Sequence, residues 1–128
     1  MGTGSRLSVA NGAICDLGGT AHGVGDVTAS GLVRNGALTV GGSFCATDDL
    51  LLVDGDFTLA NTAAVNFAAV SDVDFTAGVP LAAVFGTATL PTTARALNAV
   101  DVRTVAFARV GDLIYAVKVP SGTTVIVR

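Results

Sequence analysis

Apolar and polar residues alternate in short runs along most of this chain, and turn residues separate the runs. Leu7-Ser8-Val9 alternates, and Asn11-Gly12 follows as a tight turn, because Asn and Gly tolerate positive φ. Ala13 to Leu17 reads as the next strand, Gly18-Gly19 as the next turn, and Thr20 to Gly25 as a loose connection. Asp26 to Ser30 and Leu32-Val33 are short strands; Asn35-Gly36, Ala37 to Val40 and Gly41-Gly42 then repeat the turn, strand and turn. Period-two alternation over runs this short predicts strands, not helices.

One phrase is thus written twice. Asn-Gly opens each copy, Gly-Gly closes it, and aliphatic residues lie between. The copies start roughly 24 residues apart, a period typical of solenoids. Leu50 to Val53, Asp54-Gly55 and Asp56 to Leu59 read as a third, degraded copy. Stacked copies predict two inward columns, Leu17 with Val40 and Leu59, and Ile14 with Leu38 and Phe57. Ala64 to Phe67 and Val73 to Phe75 add short alternating pieces, and Phe44, Phe57, Phe67, Phe75 and Phe85 supply larger residues for the core.

The end of the chain reads differently. Leu81 to Phe85 is a buried-type strand, and Pro91 to Asn98 is the one segment that predicts a helical turn. Arg103 to Val110, Gly111-Asp112 and Leu113 to Val119 predict an antiparallel hairpin. Pro120-Ser121-Gly122 turns again before a last strand, Thr123 to Val127. The expected architecture is one all-β domain, a parallel β-helix of about three coils over residues 7–80, with antiparallel capping strands over 81–128 that shield the last coil. An up-and-down antiparallel sheet is the rival; the repeat offset favours the helix.

The Leu7–Leu17 phrase with Gly18-Gly19, then Val24-Gly25, then Asn35-Gly36-Ala37-Leu38-Thr39-Val40-Gly41-Gly42, resembles the autotransporter-associated β-strand repeat of large bacterial surface and secreted proteins. The resemblance covers Leu7 to about Ser43 well and Leu50 to Asn61 weakly. The tail, with Leu113-Ile114-Tyr115 and Pro120 to Arg128, looks like the close of such passenger regions. It implies a right-handed β-helical stalk at the cell surface or outside the cell, with no enzymatic activity and no cofactor. No membrane barrel follows the passenger-like region, a departure from the family. The chain also begins almost inside a repeat, which suggests a C-terminal piece of something longer.

Composition narrows the chemistry. All ten acidic residues are Asp, which favours turns and caps over helix interiors. A net charge of -3 with no basic stripe argues against nucleic acid as a partner. Met1 to Ser5 has no signal-peptide pattern, and no apolar run is long enough to insert in a membrane.

Candidate sites are few. Cys15 and Cys45, the sole cysteines, form either a disulfide suited to an extracellular chain or two buried thiols. His22 is alone, so neither a triad nor a histidine metal site assembles around it. Asp48, Asp49, Asp54 and Asp56 are the densest acidic group. They are calcium candidates by chemistry, but read as solvated turns because the Gly-Gly turns lack the following Asp of calcium-binding β-rolls. Asp72 and Asp74 alternate on one expected strand face and read as surface. The turn glycines are Gly12, Gly18, Gly19, Gly36, Gly41, Gly42 and Gly55.

Two functions compete. One is a non-enzymatic structural module that self-associates, as dimer or filament, through the edge formed by Leu7, Val9, Ile14 and Leu17. The other is a carbohydrate-binding or carbohydrate-cleaving β-helix. One Tyr and no Trp count against sugar stacking.

Overall fold

A computed structural model describes residues 6–10, 12–99 and 102–119 of the chain. Regular structure in them is entirely strand: β1 (Arg6–Ser8), β2 (Ile14–Thr28), β3 (Leu32–Thr47), β4 (Leu51–Leu59), β5 (Ala64–Ala69), β6 (Val79–Val84), β7 (Ala88–Thr89), β8 (Thr93–Leu97), β9 (Thr104–Val110) and β10 (Leu113–Lys118). The expected turn at Pro120-Ser121-Gly122 and last strand Thr123–Val127 lie outside the described residues, as does Asn11.

Parallel pairing stacks β2 on β3, β3 on β4 and β5, and these on β6, β7 and β8. Each layer has three sides. The first holds Ile14–Asp16, Leu32–Arg34, Leu51–Val53 and Ala82–Val84. The second holds Thr20–Val24, Gly36–Val40, Gly55–Leu59 and Ala88–Thr89. The third holds Asp26–Thr28, Ser43–Cys45, Ala64–Asn66 and Arg95–Leu97, with β1 above them. The fold is therefore a parallel β-solenoid of about three turns, as the strand pattern led one to expect.

Inward columns of aliphatic and aromatic residues form the core. Val33 lies over Val53 and Val84, Val40 over Leu59, Leu38 over Phe57, and Val27 over Phe44 and Val65. The rings of Phe44 and Phe57 meet edge to face at 6.0 Å, and those of Phe67 and Phe75 at 4.9 Å, a favoured aromatic geometry.

The register differs from the one the repeated phrase suggests. Gly36 stacks beside Thr20, not Gly12, and Leu38 beside His22, not Ile14. The column above Val40 and Leu59 begins with Val24; Leu17 is buried instead at a corner against Gly36. Ile14 faces outward and is 55% exposed. The coil is already shorter than the distance between the two Asn-Gly pairs at Ile14, which meets Leu32. Gly18 and Gly19, both with left-handed φ, then let the ladder shift register between Asp16 and Thr20, which shortens the offset further. Gly18-Gly19 also bends β2 without ending it, so the expected loose connection Thr20–Gly25 is strand with Val24 buried.

Further down the chain, Pro91–Asn98 contains no helix. Thr93–Leu97 is β8, with Ala94 buried and Thr93 and Arg95 exposed. Strands β5 and β9 flank it on both edges, and that pairing overrides local preference. Val73–Phe75 is not a strand either: Asp74 Oδ1 accepts the Thr76 and Ala77 N–H groups at 3.0 and 3.2 Å and shapes a turn. Phe85 is 54% exposed because Val84 takes the inward position before it. Parallel pairing runs on to Leu97, past the expected boundary at residue 80.

The expected C-terminal hairpin is β9 and β10. Strand β9 pairs antiparallel with β8, and β10 antiparallel with β6. The hairpin thus ties two sides of the last layer together. It buries Val105, Ile114 and Ala116 and pairs backbone groups that the layer would otherwise leave open.

Candidate functional site

The other end of the solenoid has no equivalent cap among the described residues. Strand β1 covers only the third side, pairing Arg6, Leu7 and Ser8 with Asp26, Val27 and Thr28. On the first two sides β2 is bonded, among the described residues, to β3 alone. The Leu32 N–H donates to the Ala13 carbonyl at 3.0 Å. Backbone groups alternate in direction along a parallel ladder. Hence Ala13 and Cys15 address β3, while Ile14 and Asp16 point their N–H and C=O groups at the open edge.

An aliphatic groove runs below this edge. It has a volume of about 280 Å³ and is lined by Gly12, Ala13, Ile14, Gly31, Leu32, Leu50 and Leu52. Of the four residues expected at a self-association edge, Ile14 is the exposed one. Leu7 is half-buried in β1, Val9 is buried beside Gly31, and Leu17 is buried at its corner.

Polar residues stand further along β2. Asp16 Oδ1 accepts the Gly18 N–H at 2.8 Å and the Asn35 side-chain amide at 3.0 Å, and Asp16 Oδ2 lies 3.7 Å from Arg34 Nε. The Gly18 N–H, then the Asn35 amide, hold the Asp16 carboxyl below its ordinary range, with a smaller contribution from Arg34. His22 Nε2 lies 2.8 Å from Thr20 Oγ1 and 3.2 Å from the Leu17 carbonyl oxygen. His22 is the top member of the column that continues with Leu38 and Phe57.

The acidic group around Asp48 divides. Asp48 and Asp49 border a second groove of about 300 Å³ with Thr47, Leu50, Val70, Asp72, Val79 and Pro80. Asp54 and Asp56 stand on β4. Two of the four bridge layers. Asp48 Oδ1 accepts the Ser71 N–H at 2.9 Å while Oδ2 accepts the Ser71 hydroxyl, and Asp56 Oδ1 accepts the Thr87 N–H at 2.9 Å. The Ser71 hydroxyl and then its N–H hold the Asp48 carboxyl low. Asp26 works the same way, accepting the Ser43 N–H and hydroxyl at 3.0 Å each. Among the described residues no group of three or more His, Cys or Asp side chains is placed to hold a metal ion.

The structure does not bring Cys15 and Cys45 together, and both thiols are free. Cys15 faces inward on the first side above Val33. Cys45 sits on the third side between Thr28 and Asn66, at outward positions. A bridge needs Cα atoms within about 7 Å and converging Cβ vectors; different sides and opposite faces supply neither.

The turn glycines separate by role. Gly12, Gly18 and Gly19 take left-handed φ in open space or nearly so. Gly36 and Gly55 are needed for close approach: a Cβ on Gly36 would strike the Thr20 carbonyl, and one on Gly55 the Gly36 carbonyl. Gly41 and Gly42 are not in positive-φ positions; they lie inside β3, and a Cβ on Gly42 would sit 2.6 Å from the Gly25 carbonyl oxygen. Sequence reasoning missed Asp16 at the open edge and Leu32 and Arg34 in the layer beneath it. The signal was present in Leu32-Val33-Arg34, which matches Ile14-Cys15-Asp16 position for position with the charge reversed.

The fold and its open edge define a β-solenoid capped at one end. Comparison with protein-family models, with curated proteins and with solved structures finds no match.

Proposed function

We propose that this chain is a non-enzymatic structural module, a β-solenoid scaffold of a bacterial surface or secreted protein, which associates through the open edge of its first coil. The observation that carries this is the asymmetry of the two ends. At one end β9 and β10 pair with two sides of the last layer, and at the other, among the described residues, β2 backbone stays unpaired on two sides beside an exposed Ile14. An unpaired strand edge recruits a further strand, because pairing satisfies backbone groups and buries neighbouring apolar surface. The twice-written Asn-Gly phrase, with its resemblance to surface-protein repeats, supports the cellular setting.

Light scattering over a concentration series tests the association. Mass is expected to rise with concentration, and Ile14–Val24 amides to gain protection from hydrogen exchange as it does. A monomer throughout, with those amides unprotected, would end the reading. A glycan array tests the carbohydrate alternative. No binding is expected, since the sole Tyr, Tyr115, is half-buried with its ring against Gly78.

A further inference from the structure

Charge alternates in sign along the solenoid axis. On the first side Asp16 lies over Arg34, and Arg34 over Asp54. On the third side Arg6 lies over Asp26, with Arg6 Nη2 3.9 Å from Asp26 Oδ2. Directly opposed unlike charges attract across strands and like charges repel. Two further ladders run beside the first-side charges: outward Ile14, Leu32, Leu52 and Ala83, and inward Cys15, Val33, Val53 and Val84. Each first-side ladder ends upward on β2, where Ile14 and Asp16 direct backbone groups at the open edge.

We propose that this edge binds an extended peptide strand, parallel to β2, that reads aliphatic, apolar, arginine, with the arginine set opposite Asp16. The proposal rests on the reading that the edge takes a strand, and it adds which strand. The aliphatic residue covers Ile14 and extends the groove formed with Leu32, Leu50 and Leu52. The central residue closes the inward column over Cys15. The arginine meets a carboxylate whose Oδ1 is occupied by Gly18 and Asn35 but whose Oδ2 has only Arg34, at 3.7 Å. A guanidinium fork suits that remaining acceptor capacity. An acidic residue there repeats the sign of Asp16 and is rejected, so the charge selects by repulsion as well as attraction. It also sets the register: a slip of one residue turns the arginine inward and the apolar residue outward.

The test uses the full chain and a fluorescently labelled synthetic peptide with the sequence Gly31–Thr39, which contains Leu32-Val33-Arg34. Anisotropy titration is expected to show saturable binding that weakens with added salt. A second peptide with Asp at the arginine position is expected to bind roughly tenfold more weakly. Asp16→Arg should invert that preference. Asp16→Asn, which keeps an acceptor oxygen for Gly18, should level it. Equal binding of the two peptides by the unaltered chain, or no binding of either, overturns the proposal, and this comparison needs no variant to fold. Light scattering without peptide separates the two readings. A chain that associates but does not discriminate keeps the structural reading and loses this one. A monomer that prefers the arginine peptide keeps this one and loses self-association.

Discussion

At the residue scale, the solenoid depends on short groups that reach between layers. Asp26, Asp48 and Asp56 each accept a backbone N–H from the next layer, from Ser43, Ser71 and Thr87. This gives the all-Asp acidic composition a physical use, because strands about 4.8 Å apart suit a short carboxylate. The Asp16 and Asp48 carboxyls are held below their ordinary value, so each favours the folded state when ionised. Their stabilisation is complete above the unfolded carboxylate range, and falling pH removes it as each folded group becomes protonated. The melting temperature should therefore drop as pH is lowered from 5 toward 3, about where carboxylates titrate, and Asp48→Asn should flatten that slope. The glycines make a second contrast. Gly55→Ala drives a Cβ into the Gly36 carbonyl, so it should cost more than the roughly 1–2 kcal/mol of positive-φ strain alone. Gly12→Ala meets no atom within 4 Å and should cost only about 1 kcal/mol. Chemical denaturation of both variants measures the difference.

At the element scale, inward and outward positions on one strand should respond in opposite ways. Leu38 is fully buried over Phe57 in β3. Leu38→Ala should cost about 2–5 kcal/mol through lost transfer energy and the cavity left behind. Ile14 lies outward on β2, so Ile14→Ala should change monomer stability by less than about 0.5 kcal/mol. The same change should weaken concentration-dependent association, because it removes apolar surface from the groove. Denaturation and light scattering on the two variants separate core from edge.

At the scale of the whole molecule, the two ends differ in stability as well as shape. Strand β3 is paired along both edges, while Ile14–Val24 of β2 is paired, among the described residues, along one. Hydrogen exchange should accordingly be slowest in β3 and fast at the Ile14 and Asp16 amides, since local opening is easiest where fewest contacts hold. The cap should fail as a unit. Ile114→Asp places a charge at a fully buried site between β9 and β6, where desolvation without a partner is costly. The variant should lose protection throughout β9 and β10 and, with both ends open, form larger assemblies than the unaltered chain. A variant that keeps β9 and β10 protected, or one no larger in light scattering, would show that the hairpin does not limit growth.

Much of the architecture was legible in the sequence because its signals are local. Period-two alternation sets a strand wherever one face must be buried, and the hairpin at Gly111-Asp112 follows from turn chemistry between two alternating runs. Even the pairing of Leu38 with Phe57 and Val40 with Leu59 follows from matched patterns around Gly36 and Gly55. Other features depend on what lies beside a segment in space. Thr93–Leu97 is strand because β5 and β9 present edges to it, and Phe85 is exposed because Val84 fills the inward place. Cys15 and Cys45 are separated because the register puts them on different sides. The first coil shows the difference most plainly. Two similar phrases suggested one stacking distance, but the backbone closes the first coil sooner, setting Ile14 beside Leu32 and, past the bend at Gly18 and Gly19, Thr20 beside Gly36. Alternation along a chain specifies which residues share a face; how many residues close a coil is a sum over its corners, which only the folded backbone decides.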